Sequence, residues 1–274
     1  MIGVNTFALA KFIRQDMSAI YRKIAQIGFD MVEPLVATVD EQGEIPKVVV
    51  CKENILPFVD MCEQLGLNLR IAHVAHPSGS VRKLVDYLTW LNEKSGISAF
   101  VFGSEMCTAE QAYEQAAFLS EIAFYMKKEN CRILYHNHSI EFTPVTLDGI
   151  TTTVLDCFFQ ACTEEVLLEL DIGWAGIGED EVAVASRLAD RIHSIHLKDF
   201  VPGSRKWPID KPMATEKFSS IGSGEIKTGE VLALRNRFPN FSGNLIIDQD
   251  ASVGDITEDI KAGYQWLQKM EMKG

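Results

Sequence analysis

At 274 residues, 47% of them hydrophobic and 23% charged, the chain has ordinary globular composition and enough length for one large core. A formal net charge of −12 argues against a nucleic-acid backbone as the main partner, because phosphate binding wants a basic face. It leaves open an anionic substrate held in a local basic pocket.

The first element is a strand at 2–7 (IGVNTF), leading into FALAKFIRQD. This start has no charged leader ahead of a long apolar core, so no signal peptide is expected. No run approaches the roughly 18 apolar residues of a membrane span. Further strands are predicted at 31–36 (MVEPLV), 68–74 (NLRIAHV), 99–104 (AFVFGS), 132–138 (RILYHNH), 166–172 (VLLELDI), 192–199 (IHSIHLKD) and 244–250 (NLIIDQD). Between them lie MSAIYRKIAQIG, ENILPFVDMCEQLG, VRKLVDYLTWLNEKSG, EQAYEQAAFLSEIAFYMKKEN and EDEVAVASRLADR, and DITEDIKAGYQWLQKM closes the chain. Apolar residues there recur at three and four, the spacing of helices packed on a sheet. Gly28, Gly66 and Gly96 are placed to end helices. The six cysteines are dispersed with no C-x-x-C pair, which fits reduced thiols and a cytoplasmic protein.

Eight strand–helix units in a chain of 274 residues match a (β/α)8 barrel spanning 1–274 as one domain. The rival is a doubly wound open sheet, which usually carries a glycine-rich phosphate turn after its first strand. FALAKFIRQD offers no G-x-G-x-x-G. The long stretch 200–223, with Pro202, Gly203, Pro208, Pro212 and Gly222, is a candidate lid.

In such a barrel, chemistry sits at the C-terminal strand ends. Ionisable residues gather there: Glu33, His73, His76, Glu105, His136, His138, Glu141, Asp171, His196, Lys198, Asp248 and Asp250. Strand alternation puts Glu169 with Asp171 on one face, Ser194 with His196 and Lys198, and Ile246 with Asp248 and Asp250. Carboxylates and an imidazole converging at the mouth suit a divalent cation, Mn²⁺, Mg²⁺, Co²⁺ or Zn²⁺. Glu141, Asp171, His196 and Asp248 are the candidate ligands. The competing structural roles are a backbone-bonded acid for Asp171, a core histidine for His196 and a solvated loop acid for Glu141.

The motifs YHNHSIEF, LELDIGWA, IHSIHLKDF, IGSGEI and LIIDQD, in that order, resemble the xylose-isomerase-like sugar phosphate isomerase/epimerase superfamily, which includes inosose dehydratases and endonuclease IV. The resemblance covers nearly the whole chain. It implies a TIM barrel, a metal-dependent isomerase or epimerase, and Glu141, Asp171 and His196 as metal ligands, with His138 as base or substrate contact. The family's fourth ligand is usually glutamate; here Asp248, one methylene shorter, stands in its place.

The expected reaction is proton abstraction α to a carbonyl through an enediolate, with the cation as Lewis acid. His138 is the preferred first proton acceptor, since a metal-bound carboxylate is a poorer base; Glu141 and Asp248 are the other catalytic candidates. Glu33, His73, Trp174 and Lys198 are candidate contacts for a small sugar or polyol. His136 lies deeper and is expected to support rather than react. The IGSGEI turn is a candidate phosphate cradle. A lyase of the same superfamily, acting on an inosose or 3-keto-glycoside, and a non-catalytic sugar-binding barrel are the alternative readings. No nucleic acid or membrane partner is expected, and a homodimer is an expectation by analogy alone.

Overall fold

The computed structural model describes residues 1–37, 50–75 and 80–272. Its frame is a ring of parallel strands: β1 (Ile2–Asn5), β2 (Met31–Glu33, resuming as Leu35–Ala37), β3 (Asn68–Leu69, resuming as Ile71–Ala75), β4 (Ala99–Phe102), β5 (Arg132–His136), β6 (Val166–Asp171), β7 (Ile192–Leu197) and β8 (Asn244–Ile247). β1 pairs with β8 on one side and with the first half of β2 on the other. That half continues to the first half of β3, while the second halves of β2 and β3 pair with each other. The ladder then runs from β3 through β4, β5, β6 and β7 to β8, so the barrel closes. β2 breaks at Pro34, which has no amide hydrogen for the ladder. Its carbonyl still accepts from the His73 amide at 3.0 Å, which holds the two strands together across the break.

The helices are α1 (Ala10–Gln15), α2 (Met17–Ile27), α3 (Ile55–Gln64), α4 (Val81–Ser95), α5 (Ala109–Met126), α6 (Val154–Ala161), α7 (Ile172–Gly178), α8 (Glu181–Arg187), α9 (Thr228–Ala233) and α10 (Ile256–Glu271). Their ends follow local chemistry. The Asp16 side chain accepts from the Ala19 amide to start α2, and Thr108 with Gln111 forms a full capping box on α5. Gly28 and Gly96 end α2 and α4 in the left-handed region, at φ 111° and 73°. Four short helices, α1, α6, α7 and α9, go beyond the sequence prediction, as does a hairpin of Pro144–Leu147 with Ile150–Thr153. No helix among the described residues is long and apolar enough to cross a membrane, and all six cysteines are free.

Among the described residues two apolar cores result. The larger lies between sheet and helices. The smaller is the barrel interior: Met31, Ile71, Ala99, Val101, Leu134, Leu167 and Ile246. Gly3 belongs to this plug, because a Cβ there would sit 2.7 Å from Met31 Cε. Moving two residues along each strand from Met31, Ile71, Leu134, Leu167 and Ile246 gives Glu33, His73, His136, Glu169 and Asp248. The floor of the site is thus the apolar plug, and alternation sets the polar layers on top of it.

The 200–223 stretch is tied down at several points. Asp199 takes the amides of Phe200 (2.9 Å), Gly222 (2.9 Å), Gly224 (2.9 Å) and Ile226 (3.0 Å). Arg205 forms a two-pronged pair with buried Glu181 on α8. The Ser139 hydroxyl donates to the Ile209 carbonyl at 3.1 Å.

Candidate active site

The lower polar layer centres on Glu169 of β6, which has no exposed surface. Three imidazole nitrogens surround its Oε2: His73 Nε2 at 2.8 Å, His136 Nδ1 at 3.3 Å and His196 Nε2 at 3.1 Å. The Ser194 hydroxyl donates to Oε1 at 2.9 Å. Glu33 of β2 lies alongside, with Oε2 2.6 Å from His196 Nε2 and Oε1 3.3 Å from His73 Nε2. Burial works against charge on Glu169, but His196 and the other imidazoles more than offset it and hold the carboxyl well below the usual range. Glu33 goes the other way: burial first, then the Glu169 charge, push its carboxyl up. Burial also holds His136 well below the ordinary imidazole range.

The upper layer faces the mouth. Lys198, 1% exposed, holds its Nζ 3.0 Å from Asp171 Oδ2, 2.8 Å from Asp248 Oδ2 and 2.6 Å from Asp250 Oδ2. Its ammonium also lies 4.8 Å from the centre of the Trp174 ring. His196 Nδ1 is 3.2 Å from Asp248 Oδ2, and His136 Nε2 is 3.9 Å from Asp171 Oδ2. Burial disfavours the Asp248 anion, yet Lys198 beside it holds the carboxyl well below the ordinary range. Asp250 is pushed up to about 6, by burial first and then by the Asp248 charge, against the pull of Lys198.

The backbone of this layer is pinned by Asn137, the middle residue of H-N-H. Its side chain accepts from the Asp171 amide at 3.0 Å and donates to the Asp171 carbonyl at 3.1 Å. Asp171 also caps α7, accepting from the Trp174 amide through Oδ1 at 2.8 Å. Capping with Oδ1 turns Oδ2 toward the mouth.

Donor atoms of His136, Asp171, His196 and Asp248 all lie within 4.8 Å of one another, and so do those of His73, His136, Glu169 and His196. The first group fits a divalent cation. It mixes imidazole and carboxylate donors, and the buried Asp171 Oδ2 accepts no hydrogen bond among the described residues although Lys198 is near. Three of the four sequence-expected ligands, Asp171, His196 and Asp248, therefore converge.

Glu141 stands apart from both groups. It is fully buried on the turn Ile140–Phe142, accepting from the Tyr135 hydroxyl at 2.7 Å and the His138 amide at 2.9 Å. His136, expected only as support, takes its place in the group.

Among the other expectations, the His138 side chain keeps 35% of its surface exposed, while its Nδ1 is buried 3.8 Å from Glu141 Oε1 and has no hydrogen bond among the described residues. Trp174 is half-buried and packs against His138, Phe200 and Phe218. His73 retains a 17% exposed side chain, whereas Glu33 and Lys198 are buried on protein partners. The amides of Gly222, Gly224 and Ile226 in IGSGEI are taken by Asp199, so the turn holds an internal carboxylate where a phosphate was considered. His76 lies outside the described residues.

Sequence reasoning noted Glu169 and Asp250 on the inner face without giving either a role, and it left out Asn137 and Tyr135. The Leu-Glu-Leu-Asp and Asp-Gln-Asp alternations carried the signal for the first two.

Neither the protein-family models nor the curated proteins compared with the chain give a match. Solved structures do. A sugar phosphate isomerase/epimerase from Parabacteroides distasonis ATCC 8503 has a TM-score of 0.74 at 18% identity, over 97% of this chain and 93% of that one. A D-tagatose 3-epimerase-like protein gives 0.67 at 16% identity, covering 99% and 98%. A xylose isomerase-like TIM barrel protein from Mycobacterium smegmatis, in complex with magnesium, gives 0.64 at 11% identity, covering 93% and 87%. Closed parallel ring and structural likeness agree: the chain has the fold of the xylose isomerase-like TIM barrels.

Proposed function

We propose that this chain is a divalent-metal-dependent sugar isomerase or epimerase that works by removing a proton α to a carbonyl. The observation that carries the reading is the buried group His136, Asp171, His196 and Asp248, gathered at the barrel end where this fold does chemistry. The epimerase and magnesium-bound neighbours support it. Those four residues would hold the ion, whose Lewis acidity makes charge on a substrate carbonyl oxygen cheaper as an enediolate forms.

The protein's own groups divide the remaining work. His138 presents a partly exposed ring whose Nδ1 is buried beside Glu141, so Nε2 is the nitrogen left to accept the proton from carbon. Trp174, flat and apolar, supplies a wall for the C–H face of a sugar. Asp250, with its carboxyl pushed up to about 6 and its side chain 21% exposed, is the rim acid that most readily takes up a proton and is suited to return one. It is the better acid than Asp248, which Lys198 and His196 hold ionised. Positioned groups of this kind contribute about 10²–10⁴-fold each.

Turnover of a panel of ketoses and polyols in deuterated water, followed by proton NMR, tests the reading. Solvent deuterium at the carbon next to the carbonyl is expected, together with loss of bound metal in a folded Asp171→Asn variant. Loss of water from the substrate would assign the lyase chemistry instead. Full metal content in Asp171→Asn would remove the site.

A further inference from the structure

The two side-chain groups at the barrel mouth share His136 and His196, and each of those rings offers one nitrogen to each group. His136 turns Nδ1 down to Glu169 and Nε2 up toward Asp171. His196 turns Nε2 down to Glu33 and Glu169 and Nδ1 up toward Asp248. The rings therefore stand between two storeys of carboxylates.

A neutral imidazole has one proton, and whichever nitrogen carries it cannot bind an ion. Around Glu169 Oε2 the proton count is constrained. Three ring nitrogens lie within 3.3 Å of this single oxygen, and a carboxyl oxygen can donate at most one proton while accepting several. Two of these contacts, from His73 Nε2 and His136 Nδ1, are hydrogen bonds that an ionised Glu169 can only accept, so both nitrogens donate, and His196 Nε2 closes on the same oxygen at 3.1 Å. His196 Nε2 has a second acceptor in Glu33 Oε2 at 2.6 Å. Protons on the lower nitrogens leave the lone pairs of His136 Nε2 and His196 Nδ1 facing the rim acids.

Resting on the metal-dependent reading above, we propose that Glu169, seconded by Glu33, is a positioning residue. It keeps the protons of His136 and His196 on their lower nitrogens and so aims both upper lone pairs at one cation seat bounded by Asp171 and Asp248. The lower group of His73, His136, Glu169 and His196 has metal-like spacing, yet it is a proton-bearing floor and not a second ion site. Filling both storeys at once would require His136 and His196 to lose every ring proton. This assignment makes His136 a ligand and gives the buried, otherwise unexplained Glu169 a function. Carboxylates beneath metal-binding histidines typically govern 10–100-fold in metal affinity.

The test uses the full chain, stripped with EDTA and titrated with Mn²⁺ alone by calorimetry, with elemental analysis for stoichiometry. Wild type is expected to bind one Mn²⁺, Glu169→Ala to bind one about 10–100-fold more weakly, and Glu169→Gln to fall between, since its amide oxygen still accepts. Long-range ¹H–¹⁵N correlation on histidine-labelled, Mg²⁺-loaded protein should find His136 protonated at Nδ1 and His196 at Nε2. Two Mn²⁺ per wild-type chain, unchanged affinity in a folded Glu169→Ala, or the opposite tautomers would overturn the proposal. Should Glu169→Ala fail to fold, the intermediate affinity of Glu169→Gln and the tautomers decide. Wild type that binds no Mn²⁺ at all would instead overturn the metal-dependent reading itself, and the floor's role with it.

Discussion

Replacing Lys198 by methionine removes the cation that holds the rim together while keeping most of the side-chain volume. The ammonium is buried and contacts Asp171, Asp248 and Asp250 at 2.6–3.0 Å. Deleting one partner of a buried ion pair costs about 3–5 kcal/mol, because the remaining charge stays buried and uncompensated. Three acids share the loss here, and Asp250 can absorb part of it by taking a proton, since its carboxyl already sits at about 6. The net cost is therefore taken as about 3–5 kcal/mol, or a drop in melting temperature of roughly 6–20 °C in EDTA for a chain of this size. A divalent ion should repair this damage, since it neutralises the same carboxylates. An ion present at about 100 times its Kd stabilises by about 2.7 kcal/mol, and the ion binds more tightly once the competing ammonium is gone. Calorimetric melting of both proteins in EDTA and in a Mn²⁺ series reads this directly. The ion-induced rise in melting temperature should be larger in Lys198→Met than in wild type. An equal or smaller rise, or a variant that melts with wild type in EDTA, would refute the idea that lysine and metal answer to the same acids.

Asp199→Asn tests the anchoring of the 200–223 stretch. The amide oxygen can keep two of the four backbone donors, while its NH₂ faces the other two, at a cost of about 2–4 kcal/mol; faster hydrogen exchange confined to residues 220–226 is expected, and uniform protection would contradict it. His193 sets a pH limit. Burial holds its ring down to about 4, so the folded state keeps it neutral while the unfolded chain protonates near 6.5. Its contribution is complete above about pH 6.5 and is lost as pH falls toward 4, amounting to roughly 3 kcal/mol. His193→Asn should flatten the denaturation midpoint against pH in that window, and parallel curves for the two proteins would exclude the effect.

All eight barrel strands were legible from the sequence, because each apolar run is short, is bounded by turn residues and alternates with a helical pattern. The breaks were not. Pro34 announces a gap in β2 by its missing amide, but Arg70 interrupts β3 with no residue-level warning. The short helices α1, α6, α7 and α9 were missed for a different reason: six to eight residues show little of a 3.6-residue period, and α8, just as short, was legible because its pattern runs on through Leu188 in EDEVAVASRLADR. They form where tertiary packing and a cap allow, as Thr153 caps α6 and Asp171 caps α7.

The site was legible by face and illegible by depth. Alternation correctly put Glu169 with Asp171, and Ser194 with His196 and Lys198, on the inner side of the barrel. Successive inward residues stand about 6.6 Å apart along a strand, however, and barrel stagger decides which of them meets which neighbour. His136 pairs in register with Glu169, while His196 pairs with Asp171, and the β6–β7 ladder shifts between Leu168 and Glu169. Those offsets lift His136 into reach of both storeys, although its greater depth along the strand had assigned it to support. Glu141 escapes the rule altogether. It lies on a turn past the end of β5, where no alternation applies, and its carboxylate is held by Tyr135, whose ring packs on the outer face against Phe158. An outward-facing tyrosine thus reaches round the strand end to fix an acid that the sequence motif assigns to the metal. Glu141 could keep the Tyr135 hydroxyl on one lone pair and ligate with another, so what sets it apart is that its oxygens lie outside the group, whereas His136 is already in it and need not move from Glu169. Position relative to Asp171, His196 and Asp248, rather than the order of residues in the motif, favours His136.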